Sequence, residues 1–312
     1  MSFTSDVKDE LSHIEPVCSH CDKATLAALV RVEGSLMLSG KGRYRLEIDT
    51  EIPSVARLVI KLIHNLYRLH TELTVRRNVL HKTPNYLITV PCQPKLEGAL
   101  LDLGVLGDAG FVTGLPTKLV GKDCCTIAYL RGIFLGSGFI ADPRGDFHFE
   151  MTIEYEDLAN DIVALLEERG IHARIMPRRN SFLIYIKSGS VITEFLALVG
   201  AHRSALYMEN ARVVKSVRND VNRRVNAELA NQAKASAASV QQMVNIRKVV
   251  DHYGMDNIPP ALQSFIRLRV ENPDDSLKEL GEKADPPLSK SAIAHRVRRI
   301  EEMAAEIGKE NE

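Results

Sequence analysis

Apolar residues along this chain follow two periods, helical and strand-like, and the two alternate in an order that occurs twice. Ser2 to Ile14 carries Val7, Leu11 and Ile14 on one helical face, with Ser2 placed to cap it. An apolar helix over 26–34 is followed by β-prone runs at 35–39 and 43–50. From Pro53 to about Leu69, Val55, Leu58, Val59, Leu62, Ile63 and Leu66 make one stripe at helical spacing. Proline suits that first turn, since its missing N–H has no intrahelical partner there. Strands at 72–79 and 85–91 flank a Thr83-Pro84-Asn85 turn, and a helix over 94–103 closes the unit. The second half opens with a helix near 124–137. Strands at 138–141 and 146–154 follow, split by Asp142-Pro143-Arg144-Gly145. A helix over 156–169 ends at Gly170, strands 172–178 and 181–187 meet across Arg179-Asn180, and a helix spans 190–199. The glycine-rich stretch 104–121 between the halves reads as a linker. The pattern predicts an α+β domain over 1–205, built from two repeats at about 1–103 and 122–200.

The last third is helical throughout. Residues 206–233 turn polar, basic and asparagine-rich, without proline or glycine, which predicts a solvated helical linker that acts as a stiff spacer. A separate all-α domain is expected over 235–312. Its first helix follows Ser236 to Val240 and runs to Tyr253, and a second runs from Ile258-Pro259-Pro260 to Glu271. After Asn272-Pro273-Asp274-Asp275, Ser276 and Glu279 have the spacing of a capping box on a short helix. Ser289 caps a final helix to about Ile307, whose buried stripe is Ile293, Val297, Ile300, Ala304 and Ile307. The first half of that helix shows Lys290, Ser291, His295, Arg296, Arg298 and Arg299, with no acid before Glu301. A helix-turn-helix needs this layout, a first helix over the DNA backbone and a second with its amino half in the major groove. The candidate DNA-binding residues are therefore Ser276, Lys278, Ser289, Lys290, Ser291, His295, Arg296, Arg298 and Arg299.

Each repeat contains a nine-residue signature. Residues 26–34 read LAALVRVEG and residues 130–138 read LRGIFLGSG, their first leucines, Leu26 and Leu130, 104 residues apart. In length, apolar spacing and closing glycine both resemble the LAGLIDADG signature of homing endonucleases. That resemblance implies two αββαββα repeats whose signature helices pack side by side, small residues letting the backbones approach. It also implies one carboxylate from each helix, bound to metal ions at the scissile phosphates. Those positions are Glu33 and Ser137 here, and a hydroxyl cannot replace a carboxylate as an anionic metal ligand. No catalytic residue is expected. The closing glycines, Gly34 and Gly138, also fit two ordinary buried helices, since glycine takes the left-handed geometry that stops a helix.

The order of parts, a degenerate LAGLIDADG-like domain followed by a helix-turn-helix, resembles the WhiA family of Gram-positive bacterial regulators. Residues 276–300, SLKELGEKADPPLSKSAIAHRVRRI, look like that family's DNA-binding motif, and SFTSDVKDEL at 2–11 looks like its opening. The resemblance implies a DNA-binding regulator tied to cell division, chromosome segregation and, in spore-formers, sporulation. In actinobacteria it also implies a WhiB-type iron–sulfur partner.

Charge refines this picture. Forty basic and forty acidic residues cancel over the chain, yet 171–225 holds ten Lys/Arg against three acids. Such a stretch suits double-stranded DNA, with Arg218, Arg223 and Arg224 as auxiliary phosphate contacts. No apolar run approaches membrane-spanning length, so a cytoplasmic, nucleoid-associated chain is expected. Of five cysteines, Cys18 and Cys21 form a C-x-x-C. The adjacent Cys124 and Cys125 make a poor second chelating pair, so no metal site, no cofactor and reduced thiols are expected. Two function classes follow: a DNA-binding regulator that cuts nothing, or a residual metal-dependent nuclease using Glu33 with Asp49, Glu51 or Glu150.

Overall fold

The computed structural model describes residues 2–38, 40, 43–77, 84–108 and 110–310. Ser39, Asn78, Val79 and Thr83, expected at strand ends and in a turn, lie outside them. The chain forms two compact units, 1–215 and 216–312.

In the first unit, α1 (Phe3–Ser12) starts where the Ser2 side chain accepts the Ser5 amide. Helix α2 (Cys21–Glu33) leads directly into β1 (Gly34–Leu38), then β2 (Tyr44–Thr50), α3 (Pro53–Tyr67), β3 (Glu72–Arg77), β4 (Pro84–Val90) and α4 (Leu96–Asp102). The strands form one antiparallel sheet in the order β1-β2-β4-β3. The second repeat copies it, with α5 (Asp123–Ser137), β7 (Gly138–Ile140), β8 (Phe149–Ile153), α6 (Glu156–Glu167), β9 (Arg174–Arg178), β10 (Ser181–Ile186) and α7 (Gly189–Val199). Its sheet order is β7-β8-β10-β9. The expected linker is partly structured. Strands β5 (Leu106–Gly107) and β6 (Gly110–Phe111) pair within it, Val105 and Leu106 are buried, and Arg31 donates to the Leu103 and Gly104 carbonyls.

The two signature helices, α2 and α5, lie against each other through the middle of a shared core. Small residues set their separation. A side chain added at Gly132 would place its Cβ 2.6 Å from the Thr25 carbonyl oxygen and 2.7 Å from the Ala28 Cβ. The closing glycines are not left-handed helix stops. Gly34 (φ −88°, ψ 130°) and Gly138 (φ −78°, ψ 146°) are extended, because each helix passes straight into a strand. Glycine is needed there for space: a Cβ at Gly34 would meet the Val30 carbonyl, and one at Gly138 the Phe134 ring and carbonyl.

Helix α1 has contacts on three sides. Thr4 Oγ1 donates to the Ile140 carbonyl at 2.7 Å and accepts its amide at 3.0 Å, which satisfies the free edge of β7. Lys8 Nζ donates to the Gly136 carbonyl at 2.6 Å. Glu10 accepts the Arg203 and Ser204 amides at 2.7 and 3.0 Å, a carboxylate at the positive end of a helix dipole.

That helix is α8 (His202–Tyr253), 52 residues long. The expected break at Ser236 is absent: Ser236 to Val240 is good enough helix sequence to continue, and Ser239 and Gln242 are already buried. In the second unit the end of α8 packs with α9 (Pro260–Glu271), α10 (Leu277–Lys283) and α11 (Lys290–Glu310). Ile246, Val249, Leu262, Phe265, Leu280 and the predicted stripe of α11 (Ile293, Val297, Ile300, Ala304, Ile307) fill this core.

Candidate nucleic-acid interface

The turn before α10 is built from backbone carbonyls held by one buried arginine. Arg269, 2% exposed, donates through one guanidinium nitrogen to the carbonyls of Asp275 at 2.6 Å and of Asn272 and Pro273 at 3.4 Å. Lys283 pairs with Asp275 at 2.7 Å and donates to Asn272 Oδ1 at 2.8 Å. Ser276 then closes both halves of the capping box: its hydroxyl accepts the Glu279 amide, and the Glu279 carboxylate accepts the Ser276 amide at 2.8 Å. At Gly281 a Cβ would meet the Leu288 carbonyl, so α10 and the turn after it touch backbone to backbone. Ser289 accepts the Ala292 amide and caps α11.

This framework presents the predicted residues as follows. Lys290, Ser291, His295, Arg298 and Arg299 are exposed on α11, and Arg296 is half-buried beside the stripe. Arg299 pairs with Glu302 at 2.9 Å, which leaves Arg298 the more available of the two guanidiniums. Ser276, Lys278 and Lys290 line one open cleft of about 280 Å³ with Lys234 of α8, a residue that sequence reasoning placed outside the DNA-binding domain. Ser289 and Ser291 share a hydroxyl–hydroxyl contact of 2.9 Å. Arg218, Arg223 and Arg224 are exposed along α8 in the same 216–312 unit, with Arg223 paired to Asp220. Arg269 was missed, although its signal was present: it lies three residues past Ile266 and four past Phe265, on the buried stripe of its helix.

In the first unit, the ends of α2 and α5 meet a cleft of about 470 Å³ lined by Lys8, Glu33, Asp49, Glu51, Asn85 and Gly136, among others. Burial pushes the Glu33 carboxyl up to about 7 against the pull of Lys8, and burial lowers the Lys8 ammonium to about 8. Ser137 turns its hydroxyl back to the Ile133 carbonyl at 3.2 Å, within its own helix. Asp49 and Glu51 thus join Glu33, whereas Glu150 pairs with His148 on the other sheet at 3.0 Å. As a holder of two divalent cations this set does not fit. Only one signature helix supplies a carboxylate, and the Lys8 ammonium already sits beside it. Lys8 was another residue missed by sequence reasoning, a lysine next to Val7 on the apolar face of α1.

A pair of LAGLIDADG-like repeats followed by a helix-turn-helix unit defines a class of two-part proteins, and comparison with known proteins places the chain within it. Residues 19–106 match the WhiA N-terminal LAGLIDADG-like domain, 126–218 the WhiA LAGLIDADG-like domain, and 221–304 the WhiA C-terminal HTH domain. The chain belongs to the WhiA family. It is 40% identical over 315 residues to the probable cell division protein WhiA of Desulforamulus reducens, covering 99% of this chain and 98% of the relative. With its counterpart in Alkaliphilus metalliredigens the identity is 38% over 309 residues, covering 97% and 98%. Full-length DUF199/WhiA from Thermatoga maritima has a similar fold, with a TM-score of 0.60 at 24% identity over 98% of this chain and 99% of that one. Among the described residues, no helix is long and apolar enough to cross a membrane.

Proposed function

We propose that this chain is a sequence-specific DNA-binding regulator of cell division and that its LAGLIDADG-like unit cleaves nothing. One observation carries the reading: the amino half of α11 presents cations and the Ser291 hydroxyl without an acid, while its opposite stripe fills the core. An α-helix so anchored can enter the major groove without losing its packing. The process comes from the relatives' name, probable cell division protein; chromosome segregation and, in spore-formers, sporulation follow from the family resemblance.

Changing Arg296 and Arg298 together to Ala should weaken cognate binding and relax base preference. A bidentate arginine–guanine contact accounts for roughly 1–3 kcal/mol, and a phosphate contact would instead flatten the salt dependence. Unchanged affinity and salt slope would remove both residues from the interface. Genome-wide occupancy of the native protein, compared with a chain ending near Asn272, locates the specificity.

The nuclease reading has one observation in its favour, three carboxylates around one cleft. Nicking of supercoiled DNA with Mg²⁺ or Mn²⁺, abolished by Glu33→Ala, would establish it. We expect no nicking, and none from Ser137→Asp either, because Lys8 remains beside Glu33.

A further inference from the structure

The geometry points to a structural zinc ion held by Cys18, Cys21, Cys124 and Cys125, joining the amino ends of the two signature helices. In sequence these residues are one C-x-x-C and one adjacent pair 103 residues beyond Cys21, and the second pair looked unusable. Folding changes that. Helices α2 and α5 run side by side in register, so Cys21 and Cys125 occupy equivalent positions, 104 residues apart like Leu26 and Leu130. Cys18 and Cys124 flank them just before and at the start of the two helices.

The four sulfurs lie within 4.8 Å of one another. Cys18 Sγ is 3.5 Å from Cys21 Sγ, 3.6 Å from Cys125 Sγ and 3.7 Å from Cys124 Sγ. A tetrahedron with zinc–sulfur bonds of about 2.3 Å has sulfur–sulfur edges of about 3.8 Å, so the three edges from Cys18 already have the length of such a site and the other three need close by an ångström at most. A disulfide needs about 2.05 Å, well short of these separations. Clusters of several irons spread their thiolates wider than this group. Cys21 and Cys125 are each 2% exposed, and Cys18 and Cys124 are partly buried, which gives the closed surroundings of a structural rather than a catalytic ion. The group lies at the amino ends of α2 and α5, where the positive ends of the helix dipoles favour thiolates. On binding, four S–H bonds give way to four Zn–S bonds and the protons leave to solvent, so the ligands carry the negative charge that those helix ends favour.

The site is separate from the cleft at Glu33. Cys21 and Glu33 are twelve positions apart on α2, about 18 Å along a helix. Zinc at Cys21 would therefore clamp the helix pair at one end, while Lys8 and Gly136 close the other.

Elemental analysis of the full-length protein, purified without chelator under reducing conditions and then reconstituted with zinc chloride, tests this. We expect about one zinc per chain. Only Cys92, exposed and outside the group, should react rapidly with a chromogenic thiol reagent, and the other four thiols should react after a chelator is added. Cobalt(II) in place of zinc should give the strong visible bands of a tetrahedral thiolate site. Changing both Cys21 and Cys125 to Ser should abolish metal retention, and Cys92→Ser should leave it intact. Should the double variant fail to fold, Cys18→Ser at the partly exposed corner, together with the reagent and cobalt measurements on the unaltered chain, decides the matter. Five thiols reacting at once with no zinc retained, a Cys18–Cys21 disulfide in the reduced preparation, or one iron in place of zinc would overturn the assignment.

Discussion

Glu33 keeps its proton to about pH 7 in the folded chain, against an ordinary value of 4.5, because burial penalises its charged form. Between those values the folded state binds more protons than the unfolded state, so stability falls as pH rises through the window. Lys8 acts in the opposite sense at higher pH. Its folded ammonium gives up a proton near 8 rather than 10.5, so stability recovers as pH climbs between those values. Glu33→Gln should therefore flatten the decline in urea midpoint between about pH 5 and 7 and leave the alkaline limb largely in place. An unchanged acid limb would mean that Glu33 ionises as freely in the folded chain as in the unfolded one. The same pair shows why a lost carboxylate at Ser137 is only half of the change at this site: the charge that metal ions would have supplied is partly supplied by a lysine from α1.

At the scale of elements, the packing of α2 on α5 depends on Gly132, where a Cβ would press on both Thr25 and Ala28. Gly132→Ala should cost about 1–3 kcal/mol by overpacking. Combining it with Ala28→Gly should recover only part of that, since the Thr25 carbonyl still obstructs; thermal unfolding of the two single variants and the double gives the coupling. The element order was legible in the sequence because each stripe, such as Val55 to Leu66, has one period and one boundary signal. Ser2, Ser276 and Ser289 cap as their spacing requires. Three features were not legible. Gly34 and Gly138 looked like left-handed helix stops, since spacing does not distinguish a special φ from a close contact. Ser236 looked like a break because serine tolerates both states. The four cysteines looked unrelated because their proximity is created by the register of two helices a hundred residues apart.

At the scale of the whole molecule, Arg218 and Arg224 are exposed and have no paired acid among the described residues, whereas Arg223 shares its charge with Asp220. If they follow phosphates, changing all three to Gln in the full-length chain should reduce the slope of log affinity against log salt. The loss should be about 0.9 for each arginine in full contact, with Arg223 contributing least. An unaltered slope would assign this stretch of α8 to solvent. The exposed face of α11 was readable from local spacing, and so was the place of Arg269 on the buried stripe of α9, but Lys234 was not, because it reaches the cleft from a helix that looked like a spacer. Helix α1 carries a consequence for genetics. Its ten residues satisfy the edge of β7 through Thr4, the Gly136 carbonyl through Lys8 and the first amides of α8 through Glu10. Deleting this segment, or fusing a bulky tag against it, would disturb three distant parts of the unit in one stroke. A division defect in such a strain would report misfolded protein rather than a severed interaction with a partner, and only point changes that spare Thr4, Lys8 and Glu10 can separate the two.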